Sequence, residues 1–188
     1  MAKVVLHIGT HKTATTTIQD MFWHNAPLLA EHGLIYPRLN VYTGHHGLVL
    51  GWKDMPKPYQ LENGSLAALE DIARQYGDGD HTVFLSSEEF SRSGSLNDLG
   101  RVRDALSAFD EIEVICVLRT QWQFLQSVYL EVSKRNVPPR PPQMVVPVIE
   151  NGAFQGLWVD YNHILDGLEK SFTPAEITLF DFNTCRKA

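Results

Sequence analysis

Val4-Val5-Leu6-His7-Ile8 is an apolar, largely β-branched run that stops at Gly9; the polar stretch Thr10 to Thr17 follows, and then Ile18, Phe22, Ala26 and Leu29 recur at helical spacing. A run of that kind fits a strand covered on both faces, the condition of a parallel sheet. Parallel neighbours need crossover connections, so further buried runs separated by helices must follow. Thr82-Val83-Phe84-Leu85, ending in Ser86-Ser87-Glu88-Glu89, and Glu113-Val114-Ile115-Cys116-Val117-Leu118, ending in Arg119, meet that need. Helices are predicted over Leu66 to Tyr76, Leu99 to Phe109, Gln121 to Lys134 and Trp158 to Phe172, with Ile177 to Phe182 as a last strand. Pro27 bends or restarts the first helix, which ends at Gly33. The expected architecture is a three-layer α/β fold, a parallel sheet flanked by helices, over one domain spanning residues 1–188.

Two segments interrupt this alternation. Pro138-Pro139-Arg140-Pro141-Pro142 and Pro147 read as a stiff surface loop. Tyr42 to Gly64, rich in Gly, Pro, Tyr and His, is long for a connection and is a candidate acceptor-side loop.

With 16 basic against 22 acidic side chains and a net charge of -6, the chain does not attract nucleic acid by bulk potential, so any anion must meet a local basic cluster. Trp23, Trp52, Trp122 and Trp158 lie in four separate segments and form no base-stacking platform. The two cysteines, Cys116 and Cys185, give neither a disulfide framework nor a paired metal site. No run approaches the roughly 18 to 20 apolar residues of a membrane span, and the apolar stretch after Met1-Ala2-Lys3 is short for a signal peptide. A cytoplasmic location is expected. His7 and His11 have no companions at metal-ligand spacing, so no metal site is proposed.

The local basic cluster lies after the first strand. Where a strand hands over to a helix, the open N–H groups of the helix start form an anion site, and here Gly9-Thr10-His11-Lys12-Thr13-Ala14-Thr15-Thr16-Thr17 occupies that position. Lys12 adds a point charge, worth roughly 4 kcal/mol against a unit anion about 4 Å away at an effective dielectric near 20, before desolvation. The threonine hydroxyls donate or cap without adding negative charge. A plain threonine-rich helix cap beside an exposed lysine is the bland alternative. A nucleoside triphosphatase loop would read G-x-x-x-x-G-K-[ST]; Lys12 instead follows Gly9 by three positions, alanine stands in place of the second glycine, and no strand ends in an aspartate suited to magnesium.

His11-Lys12-Thr13-Ala14-Thr15-Thr16 behind an apolar strand resembles the 5′-phosphosulfate loop of sulfotransferases that use 3′-phosphoadenosine-5′-phosphosulfate (PAPS), whose common core is Lys, Ser or Thr, Gly, Thr, Thr. Ala14 stands where that core has glycine, which demands a negative φ or more room near the phosphate. The family's second signature, an arginine ending a later central strand and a serine eight residues on, is matched by Arg119 and Ser127. The resemblance implies a P-loop NTPase-like sulfotransferase fold, with Gly9, His11, Lys12, Thr13, Ala14, Thr15 and Thr16 around the 5′-phosphosulfate and Arg119 with Ser127 on the 3′-phosphate. Arginine forks onto phosphate oxygens, and a strand end fixes where it does so. Family members usually continue into further helices and a closing loop, whereas this chain stops at Cys185-Arg186-Lys187-Ala188, so a short or truncated variant is expected.

Sulfuryl transfer needs a base for the acceptor hydroxyl. Glu88 follows a strand that should end at the same sheet edge as Gly9 and Arg119, where ligands gather. Glu89 is the alternate, and a helix-start carboxylate is the plain reading of either. Lys12 is also a catalytic candidate, neutralising charge on the bridging oxygen. His45-His46 could orient an acceptor or act as base. The expected activity is PAPS-dependent, metal-free transfer to a hydroxyl of a small molecule or carbohydrate. Two alternatives remain open: a magnesium-dependent nucleotide or small-molecule kinase, and a non-catalytic phosphonucleotide-binding domain.

Overall fold

The computed structural model describes residues 1–135 and 137–185; the last three residues of the chain's ending, 186–188, lie outside the described residues. Strand β1 (Lys3–His7) leads through the Thr-rich loop into helix α1 (Thr15–His24), and α2 (Ala26–Glu31) restarts at Pro27 as the spacing implies. Gly33, at φ +76°, turns the chain into β2 (Leu34–Ile35), a strand too short to show in the sequence pattern. Helix α3 (Gly64–Tyr76) then leads to β3 (Thr82–Ser86), and α4 (Leu99–Ala105) to β4 (Glu111–Leu118). Helices α5 (Gln121–Arg135) and α6 (Pro141–Asn151), the two-residue strands β5 (Ala153–Phe154) and β6 (Leu157–Trp158), and helix α7 (Asn162–Glu169) precede the edge strand β7 (Ile177–Asp181) and the short α8 (Phe182–Cys185). The five strands run parallel in the order β2-β3-β1-β4-β7. No helix among the described residues is long and apolar enough to cross a membrane.

The order explains the apolar runs. β1 lies between β3 and β4, and Val4, Leu6, Val83, Leu85, Val114 and Cys116 are buried with helical side chains such as Leu69, Leu99 and Val102. From β1 the chain first builds outward to β2, returns through β3, and crosses to β4 on the other side. The reversal at β1 is the topological switch point, and ligands of open α/β sheets bind beyond the strand carboxyl ends there. Gly9, Ser87 and Arg119 follow β1, β3 and β4 at that edge.

Three sequence expectations are corrected. The proline-rich stretch is largely helix: α6 carries Pro141 and Pro142 in its first turn, where a missing N–H costs nothing, and Gln143 accepts a hydrogen bond from the Arg140 N–H. Pro147 is tolerated inside it, and Met144 is buried with Phe124, Val128, Phe154 and Val159 in a second apolar cluster beneath α5. The helix predicted from Trp158 begins only at Asn162, because Leu157–Trp158 pairs antiparallel with Ala153–Phe154. Gln155 and Gly156, both at positive φ, make that tight turn. The helix predicted from Leu99 to Phe109 ends at Ala105, after which Leu106 and Phe109 are buried from a turn.

Candidate functional site

The loop after β1 is built by its neighbours. Ile8 and Thr10 donate N–H bonds to the Ile115 and Val117 carbonyls, so the chain follows β4 before leaving the sheet. The Thr10 hydroxyl then donates to the Val117 carbonyl at 3.1 Å, and the Thr13 hydroxyl donates to the Thr10 carbonyl at 2.5 Å. These buried hydroxyls brace the loop from inside. Thr15 is buried in the first turn of α1, while Thr16 is exposed. Among the described residues, the N–H groups of His11 through Thr16 donate to no acceptor, leaving the helix start open to an anion.

Ala14, the residue before α1, sits at φ +61°, and Lys12 at +65°. Of the two expectations for Ala14, a negative φ or more room near the phosphate, the first is not met: the exposed methyl group sits in the left-handed region at a steric cost. Ala14→Gly is expected to raise the thermal midpoint by about 2–4 °C, the shift that roughly 1 kcal/mol gives in a chain of this size. A lower midpoint by scanning calorimetry would show that the methyl makes contacts outweighing its strain.

Lys12 and Arg119 come together. The Arg119 guanidinium donates to the Lys12 carbonyl at 2.9 Å, while its Nε is buried with no partner among the described residues. The Phe182 ring lies 5.1 Å from the guanidinium carbon, and the Tyr161 hydroxyl donates to the Arg119 carbonyl at 2.5 Å. Burial pushes the Tyr161 phenol up to about 12, so it remains a donor. The Lys12 ammonium reaches Glu131 on α5 at 3.2 Å, and Lys134 shares that carboxylate. Ser127, half-buried, lies four residues before Glu131 and so on the same helix face.

On the β3 side, Ser87 caps a single turn, Glu88–Ser91, by accepting the Glu89 N–H. Glu88 and Glu89 then diverge. Glu89 pairs with His11 at 3.1 Å and Arg92 at 3.3 Å. Burial alone pushes the Glu89 carboxyl up, but the His11 ring and the Arg92 guanidinium outweigh it and hold it below the usual range. Glu88 instead receives, among the described residues, one hydrogen bond, from the Gln19 amide at 3.1 Å. The loop's other end is tied in too, because the Ser91 hydroxyl reaches the Gly9 carbonyl at 3.4 Å.

The adjacent histidines have different surroundings. His45 is buried, its Nε2 donating to the Pro37 carbonyl at 2.7 Å and its Nδ1 accepting the Ser86 N–H at 3.0 Å, so it staples the long loop to β3. His46 is half-buried, with Nδ1 2.8 Å from the Ser87 hydroxyl and its ring edge-on to Tyr59. Gly44 permits this approach: a Cβ there would lie 2.8 Å from both Gln19 Oε1 and His46 Nε2.

Burial also pushes the imidazoles of His7 and His45 down to about 4 from the ordinary 6.5. The unfolded chain takes up these protons below about 6.5 and the folded chain only near 4, so stability is complete above that window and declines through it. Each ring withdraws up to roughly 3 kcal/mol, and the urea midpoint is expected to fall between about pH 7 and 4.5. An unchanged midpoint would show that both rings take up their protons in the fold as readily as in the unfolded chain.

The architecture matches the crystal structure of a sulfotransferase from Alicyclobacillus acidocaldarius with a TM-score of 0.59, over 97% of this chain and 74% of that one, at 14% sequence identity. The two chains share this fold. No protein-family model matches the sequence, and no curated protein is significantly similar to it. At such identity the likeness carries the architecture, and the chemistry must be argued from the side chains. Among the described residues no group of His, Cys, Asp and Glu is arranged to hold a metal ion.

Sequence reasoning missed Gln19 and Tyr161, which hold Glu88 and Arg119. Gln19 adjoins the Ile18, Phe22 stripe and so reads as the polar flank of a helix, yet it is 2% exposed. A buried amide is recognisable only once the partner strand is in place.

Proposed function

We propose that the protein is a PAPS-dependent sulfotransferase acting on a hydroxyl of a small molecule or carbohydrate. The observation that carries this reading is the Arg119 guanidinium bonded to the Lys12 carbonyl, which puts the two cations of the sequence pattern at one edge of the sheet. The residues fit a nucleotide carrying phosphates at both ends. Open N–H groups at His11 to Thr16 and the Lys12 ammonium suit the 5′-phosphosulfate. The Arg119 guanidinium, which lines a cavity of about 400 Å³ with Thr120, Gln121, Tyr161 and Phe180, suits the 3′-phosphate, with Ser127 on the neighbouring helix.

The donor supplies a sulfuryl group that leaves the 5′-phosphate. Lys12 stabilises charge on the oxygen being released. Glu88 takes the acceptor proton as the new oxygen–sulfur bond forms. Glu89 is the alternate base, although its pairing with His11 and Arg92 suits it to bracing the loop. His46, beside Ser87, is placed on the acceptor side, and His45 holds the long loop to β3. A cytoplasmic setting belongs to the same proposal.

A thermal-shift screen tests the reading. Adenosine 3′,5′-bisphosphate should stabilise the protein without metal, whereas stabilisation by ATP that vanishes with chelator would support a kinase. Radiolabelled transfer from PAPS to a hydroxyl acceptor panel then separates an enzyme from a binding domain. Arg119→Ala should cost about tenfold or more of the preference for adenosine 3′,5′-bisphosphate over adenosine 5′-monophosphate, because a charge-assisted contact to one phosphate is lost. Retained discrimination in competitive calorimetry would remove Arg119 from the 3′ site.

A further inference from the structure

Behind Glu88 lies a line of buried polar groups. Gln19, Ser86 and His7 are 2%, 0% and 1% exposed. The Gln19 amide nitrogen lies 3.1 Å from Glu88 Oε2 and 3.2 Å from the Ser86 hydroxyl, and that hydroxyl lies 2.9 Å from His7 Nδ1.

The direction of every hydrogen in this line follows by elimination. An ionised carboxylate only accepts, so Gln19 presents its NH₂ to Glu88, and the same group donates to Ser86 Oγ. Among the described residues the Ser86 hydroxyl hydrogen then has one acceptor, His7 Nδ1. His7 Nδ1 is therefore bare, and burial keeps the ring neutral. Its proton sits on Nε2, which has no partner among the described residues. That nitrogen lies against the phosphate loop: a Cβ on Gly9 would come 3.0 Å from it.

We propose that Gln19 is a positioning residue for Glu88, with Ser86 and His7 as its proton-ordered support running from the acceptor side to the floor of the loop at Gly9. This rests on the reading of Glu88 as base. An amide donor fixes the direction of a carboxylate without bringing a positive charge to it, in contrast to the Arg92 guanidinium on Glu89. His45 clamps the centre of the line, exchanging bonds with the Ser86 N–H and carbonyl, so the amide has a rigid anchor.

Two measurements test it. The first needs no activity: side-chain ¹⁵N spectra of the wild-type protein at neutral pH should show His7 as the Nε2–H tautomer, and an Nδ1–H tautomer would overturn the proton order. The second is a double-mutant cycle in sulfuryl transfer from PAPS. Gln19→Met should lower kcat about tenfold with the donor KM within twofold, and should change the rate less than twofold when added to Glu88→Gln. A tenfold loss in both backgrounds means that Gln19 acts independently of Glu88 and overturns the inference alone. Full activity of Glu88→Gln itself overturns the base assignment and the inference with it. Should Gln19→Met fail to fold, Gln19→Asn keeps a buried amide while drawing it back from Glu88 by one methylene, and the same cycle applies.

Discussion

Lys12→Ala is expected to weaken binding of adenosine 3′,5′-bisphosphate by about a hundredfold and to remove measurable sulfuryl transfer while leaving the protein folded. The affinity term follows from charge: a unit pair about 4 Å apart near a surface interacts by roughly 4 kcal/mol, which desolvation reduces toward the hundredfold expected. The present partner of Lys12, Glu131, reduces it further, because the ammonium must exchange one anion for another. The fold should survive for two reasons. Arg119 holds the backbone carbonyl at position 12, which alanine keeps, and the left-handed φ of Lys12 disfavours alanine no more than lysine. Unchanged affinity by titration calorimetry, with an unchanged thermal midpoint, would refute the anion-site reading of the loop.

Glu88→Gln is expected to lower kcat by about 10²–10⁴-fold, the usual span of general-base catalysis, with bisphosphate affinity unchanged. The amide keeps the shape of the side chain and its place at the end of β3 but cannot take a proton. Glu89→Gln provides the contrast, since it breaks pairing with His11 and Arg92 and so acts on the loop and donor affinity more than on proton transfer. Both variants are to be compared under donor saturation, where loop damage is masked and loss of the base is not. If Glu89→Gln alone lost kcat there, the two roles would have to be exchanged.

Much of this arrangement is legible along the chain, because strands buried on both faces need uninterrupted apolar runs and because loops at their carboxyl ends collect the polar residues. The runs at Val4, Thr82 and Glu113, the loop at Gly9 and the Arg119 strand end are recognisable for that reason. What hides are features decided by distant partners. Pro147 sits inside a helix because Met144 on the same helix has an apolar bed to fill. Ala14 takes a left-handed φ although nothing in its own residue type favours one. His45 and His46 are neighbours in sequence, yet one is locked to the Pro37 carbonyl and the other stands beside Ser87. Glu88 and Glu89 look interchangeable until Gln19 and His11, some seventy to eighty residues earlier, claim one each.

One hydrogen bond, from Arg119 to the Lys12 carbonyl, fastens the guanidinium directly to the segment that carries the ammonium. The interval between the guanidinium and the Lys12 backbone is thus a property of one contact, not of two loops moving separately. On the proposed function, such a gauge would sort ligands by the distance between their anionic ends. Positional isomers with identical charge, such as 2′,5′- and 3′,5′-bisphosphates, would be told apart by length alone.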